Sequence, residues 1–91
     1  RFIGLQGESD SALTDALIAE LKAMNASLNI PTCIKDYEGG IIDEKEFHDK
    51  LADVAALAIS DACTGSNPRV PTQEEMEKLL NACYYDLEID F

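Results

Sequence analysis

The chain has 91 residues, with 18 acidic side chains against 7 basic ones, a formal net charge of −11, 46% apolar residues and no tryptophan. One domain at most fits that length, burying roughly 60–65% of the surface its unfolded chain exposes. The negative charge repels phosphate backbones and anionic lipid, which argues against nucleic acid and membrane surfaces as partners. Cys33, Cys63 and Cys83 are odd in number, widely spaced and without a C-x-x-C, so neither a disulfide framework nor a zinc finger is expected. Reduced thiols in a cytoplasmic protein fit this usage. No apolar run approaches the roughly 18 residues of a membrane span, and no signal-peptide pattern is visible. Arg1-Phe2-Ile3-Gly4-Leu5 is apolar and lacks an initial Met. It reads as the tail of a longer element, so residues 1–91 are expected to be a helical piece of a larger protein.

The first predicted element follows Glu8-Ser9-Asp10-Ser11, a cluster rich in N-cap residue types, with Ser11 read as a capping residue. Leu13, Leu17, Leu21, Met24 and Leu28 then recur at spacings of four, four, three and four, one face of a helix. Asn29 suits a left-handed helix end, and Pro31 forbids continuation. Residues 32–42 form a connection with a turn at Glu38-Gly39-Gly40.

A second helix is predicted from Asp43, an N-cap with Glu46 at the third helical position, an Asp-headed variant of the capping box. Ile42 and Phe47 occupy the positions of a hydrophobic staple. Phe47, Leu51, Val54 and Ala58 line one face. Ala55, Ala56, Leu57 and Ile59 widen it, so burial on more than one side is expected in the later half. A third helix opens at Thr72-Gln73-Glu74-Glu75, another capping box, with Met76, Leu79, Leu80 and Cys83 as its apolar stripe. Residues 84–91 read as a tail whose last six residues alternate and allow a short strand. The predicted fold class is all-α, with three main helices.

Candidate chemistry is thin. His48 is the only histidine, and Lys45 stands where a di-iron Glu-x-x-His motif requires glutamate. A Cys63–His48 dyad is excluded by geometry, since fifteen helical residues rise about 22 Å. Thr64-Gly65-Ser66 lacks the glycines and Lys of a phosphate-binding loop, and Glu74 and Glu75 open the helix behind it. No catalytic, cofactor-binding or metal-ligating residue is assigned on these grounds. Asp10-Ser11-Ala12-Leu13 approaches the D-S-L motif of acidic phosphopantetheine carriers, but Ala12 breaks it. An acidic interaction or carrier module is the alternative reading. The densest polar loop is Asp61-Ala62-Cys63-Thr64-Gly65-Ser66-Asn67-Pro68-Arg69, in which Pro68 pushes Asn67 out of the helical region. Arg69 there suits helix C-terminal carbonyls or an acidic neighbour.

Five pieces in register resemble the C-terminal region of iron-containing, group III alcohol dehydrogenases. Leu28-Asn29-Ile30-Pro31 is similar to that family's L-N/G-I-P helix end, and Ile34-Lys35-Asp36-Tyr37 to the segment after it. Asp43 to Phe47 resembles the D-E-x-x-F helix start, Asp61 to Arg69 the D-x-C-T-G-x-N-P-R signature, and Thr72 to Leu80 the final T-x-E-x-M/I-x-x-L helix. The resemblance implies a two-domain enzyme that interconverts alcohols and aldehydes or ketones. Its α/β domain binds NAD(P) through a Gly-rich loop, and its helical domain holds Fe²⁺ or Zn²⁺ through one Asp and three His. It implies that residues 1–91 are a C-terminal part of the helical domain, lacking the nucleotide-binding domain and the metal-ligand helices. Such a piece alone is expected to be inactive. The implied partners are the rest of the dehydrogenase chain and a possible homo-oligomer. Cys63 matches the family cysteine at the inner edge of the alcohol pocket, a small soft apolar wall. The Asp86 to Phe91 ending suggests a single-function enzyme; the alternative is the alcohol dehydrogenase part of a bifunctional aldehyde–alcohol dehydrogenase.

Overall fold

The computed structural model describes residues 2–91, in two compact units that meet in sequence between Thr32 and Cys33. The elements in chain order are α1 (Asp10–Ser27), a kinked 3-10 segment (Ile34–Gly39) broken at Tyr37 and Glu38, α2 (Glu44–Ser60), a short 3-10 helix (Thr64–Ser66) and α3 (Gln73–Tyr85). The all-α expectation with three main helices holds. No strand occurs among the described residues, and residues 86–91 are irregular. Their alternation has no sheet edge to pair with, and an extended segment left without a ladder gains nothing from the pattern.

In the first unit α1 is closed at both ends by local chemistry. The Ser9 side chain, not that of Ser11, caps the helix by accepting from the Ala12 amide at 3.1 Å. Ser11 lies two residues beyond the cap, inside the helix. At the other end Asn29 takes φ 58°, the Ile30 amide donates to the Asn25 carbonyl at 2.9 Å, and Asn29 donates to Ala26 at 3.1 Å. These are the two bonds of a Schellman motif, with Asn in the usual glycine place. Gly7 lets the leading segment pass close to the start of α1: a Cβ there would sit 3.0 Å from the Leu13 amide nitrogen. Ile3 and Leu5 line a shallow hollow with Leu13, Thr14 and Leu17. Yet α1 buries none of its residues. The apolar repeat is helical as predicted, but Leu21, Met24 and Leu28 are each about half exposed or more.

The second unit has a true packing interface, between α2 and α3. Asp43 caps α2 as expected, accepting from the Lys45 and Glu46 amides at 3.4 and 3.3 Å. Thr72 and Glu75 form the complete reciprocal capping box of α3. The core differs from the sequence expectation in phase. Ala82 and Tyr84 are the buried residues of α3, while Cys83 is exposed and Leu79 is 38% exposed. Met76, Leu80 and Tyr84 follow an i, i+4, i+8 ridge, so the stripe continues to Tyr84 rather than stepping back to Cys83. Tyr84 thus belongs to the helix rather than to a tail. It is 1% exposed, stacks on Phe47 at 4.1 Å, and donates from its hydroxyl to the Ile42 carbonyl at 2.6 Å. On α2 only Ala55 is fully buried, and Leu57 is 70% exposed, so the later half is not enclosed on several sides. Ile42 and Phe47, the staple pair, share a nearly wholly apolar hollow of about 210 Å³ with Leu51, Val54 and Leu80.

Candidate functional site

The Asp61–Arg69 run is a junction held by short-range hydrogen bonds within itself and to the ends of α2 and α3. α2 ends with unpaired carbonyls, as every helix does. The Leu57 carbonyl accepts the Asp61 amide at 3.1 Å and the Ser60 hydroxyl at 3.0 Å, and the Ala58 carbonyl accepts the Thr64 hydroxyl at 2.6 Å. Asp61, extended at φ −60° and ψ 135°, leads the chain off the helix, and its carboxylate accepts the Cys63 amide at 2.8 Å. The Cys63 carbonyl in turn accepts from the Ser66 hydroxyl at 2.8 Å and the Ser66 amide at 3.2 Å. Cys63 is therefore pinned on both sides of its Cα while its side chain is exposed. Past Pro68, the Asn67 side-chain amide donates to the Arg69 carbonyl. The acidic neighbour expected for Arg69 is Glu75: Nη2 meets Oε1 at 2.9 Å, while Oε2 accepts the Thr72 amide at 3.3 Å. Arg69 also lies 5.1 Å from the centre of the Phe91 ring.

A second polar cluster surrounds the start of α2. Lys35 and Glu44 form an ion pair at 2.7 Å, and that hydrogen bond holds the Lys35 ammonium above its ordinary range. His48 Nε2 and the Tyr85 hydroxyl are 2.7 Å apart, and Lys35 Nζ lies 5.5 Å from the Tyr85 ring centre. Burial pushes the Tyr84 phenol up. The His48–Tyr85 and Tyr84–Ile42 contacts join residues 37 and 42 positions apart. No local motif announces them, because the pairing depends on how α3 lies against α2.

The donor set does not fit a metal centre. Among the described residues no three His, Cys, Asp or Glu side chains gather in a way that holds a metal ion. The one histidine is engaged with Tyr85. Nor does any helix among these residues have the length and apolarity to cross a membrane.

Residues 1–84 match the model of the Fe-containing alcohol dehydrogenase family, C-terminal. The chain belongs to the iron-containing alcohol dehydrogenase family. Its relatives include an NADPH-dependent butanol dehydrogenase of Clostridium saccharobutylicum, 43% identical over 89 residues. That alignment covers 98% of this chain and 22% of the relative. An aldehyde-alcohol dehydrogenase of Clostridium acetobutylicum is 37% identical over 83 residues, 91% of this chain and 9% of its own length. The bifunctional aldehyde-alcohol dehydrogenase of Escherichia coli is 34% identical over 79 residues, 87% of this chain and 8% of its own length. The chain thus spans less than a quarter of these relatives. Membership sets aside the carrier reading of Asp10-Ser11, since it accounts for nearly the whole chain.

Proposed function

We propose that residues 1–91 serve as the C-terminal helical part of an NAD(P)-dependent alcohol dehydrogenase that interconverts alcohols and aldehydes or ketones in the cytoplasm. The observation that carries this reading is the family match over residues 1–84. The metal, iron or zinc, and the nucleotide belong to portions of the enzyme outside these residues, with which this part packs and with which it forms any homo-oligomer. NADPH is the favoured nucleotide, by likeness to the butanol dehydrogenase. The role of this part is to shape a wall. Cys63, exposed and pinned through its backbone, lines the alcohol pocket as a small apolar surface and takes no part as a nucleophile.

The decisive experiment is a chimera in which this chain replaces the aligned stretch of the butanol dehydrogenase. Oxidation of butanol with NADP⁺ by the iron-loaded chimera is the expected result, with no turnover by the 91-residue chain under the same conditions. A chimera that binds iron and NADPH but turns over no alcohol overturns the reading.

A further inference from the structure

We propose that Thr64 is a positioning residue that fixes the direction in which Cys63 is presented, acting through the free end of α2. The proposal rests on the pocket-wall reading of Cys63 and adds to it the residue on which that wall depends.

The argument starts from the helix end. Ala58 is one of the last residues of α2, and its carbonyl needs a donor from beyond the helix. Thr64 supplies it with a part-buried hydroxyl at 2.6 Å, six residues on. The same residue donates its amide to the Asp61 carbonyl at 3.1 Å and accepts the Asn67 amide at 3.1 Å through its own carbonyl. Thr64 is thereby bonded back to the helix, back to the bend, and forward to the next turn. Cys63 lies between the bend at Asp61 and this anchor. Of its other restraints, Asp61 is tied to α2 on the near side by its amide on the Leu57 carbonyl at 3.1 Å, while Ser66 lies within the loop and would move with it. The Thr64 hydroxyl is the bond that ties the far side of Cys63 back to the helix.

Replacing Thr64 by valine keeps the branched shape and removes the hydroxyl, leaving the Ala58 carbonyl unpaired. Losing one such bond is a change of about fivefold in a local opening equilibrium. Amide hydrogen exchange at Cys63, Thr64, Ser66 and Asn67 should therefore quicken about fivefold in Thr64→Val, and return to the parent rate in Thr64→Ser, which keeps the hydroxyl. In the chimera, Thr64→Val should raise KM for hexanol about fivefold while kcat moves by less than about twofold, with Thr64→Ser again restoring it. Exchange that is unchanged in Thr64→Val overturns the proposal. So does quickened exchange with an unmoved KM, when Cys63→Trp in the same chimera does raise it. Quickened exchange with KM insensitive to both Thr64→Val and Cys63→Trp keeps the tether but sinks the pocket-wall reading.

Discussion

Both units carry apolar helical repeats, and they put them to different use. In α1 the repeat from Leu13 to Leu28 is regular, both helix ends are capped, and no residue is buried. In the unit from Cys33 to Phe91 the repeats on α2 and α3 are less regular, yet they close on each other. Three bonds of long sequence separation reinforce them: Tyr84 to Ile42, His48 to Tyr85, and Gln73 to the Ala52 carbonyl at 3.1 Å. Periodicity specifies that a helix forms and which face is apolar. It is silent on whether anything covers that face.

The sharpest way to break this contrast is to remove its anchor. Tyr84→Ala takes away the most buried large side chain, its stack on Phe47 and its bond to Ile42. The melting midpoint of the second unit should fall by about 10–20 °C, read by far-ultraviolet circular dichroism, with amide exchange along α1 unchanged. A midpoint within about 3 °C of the parent would show that Tyr84 anchors nothing. Tyr84 also gives the contrast a pH signature. Its phenol, buried in the fold, ionises above its ordinary value of 10.0. The neutral form is favoured by the fold, so that contribution is complete below pH 10.0 and is lost as pH climbs through the raised folded value. Tyr84→Phe should make alkaline unfolding of this unit shallower.

A smaller effect is expected at the capping box. Thr72→Ala leaves the Glu75 amide without its side-chain acceptor and should cost about 1 kcal/mol in urea unfolding of the second unit. No change there would mean that α3 is held by packing alone. The smallest effect belongs to the first unit. Leu21→Ser, on the exposed face of α1, should change the stability of the 91-residue chain by less than about 0.5 kcal/mol. A larger loss would mean that the stripe is already covered, and the contrast between the units would dissolve.

Much of the fold was legible because its signals are local. The Asp43 cap, the Thr72–Glu75 box and the Asn29 helix end each involve residues within five positions of one another, whereas the partner of Arg69 came only from the structure. What escaped depends on tertiary phase. Whether α3 buries Cys83 or Tyr84 is decided by the ridge that α2 accepts, and one residue along a helix turns the face by about 100°. The cap of α1 was misplaced by two positions because Ser9 and Ser11 are chemically equal, and only backbone geometry separates them: Ser9 is extended and Ser11 helical. At the candidate site, Cys63 and its loop were visible as residue types. The Thr64 to Ala58 bond was not, because nothing in the run marks which hydroxyl turns back toward the helix.

The junction between α2 and α3 has one further consequence. Its principal bonds, from the Ala58 carbonyl to the Glu75 carboxylate, each span six residues or fewer. A bend whose hydrogen bonds reach no further than the helix ends it joins keeps its form when the outer surfaces of those helices are rewritten. It can be inherited as a portable part, whatever substrate those surfaces come to favour.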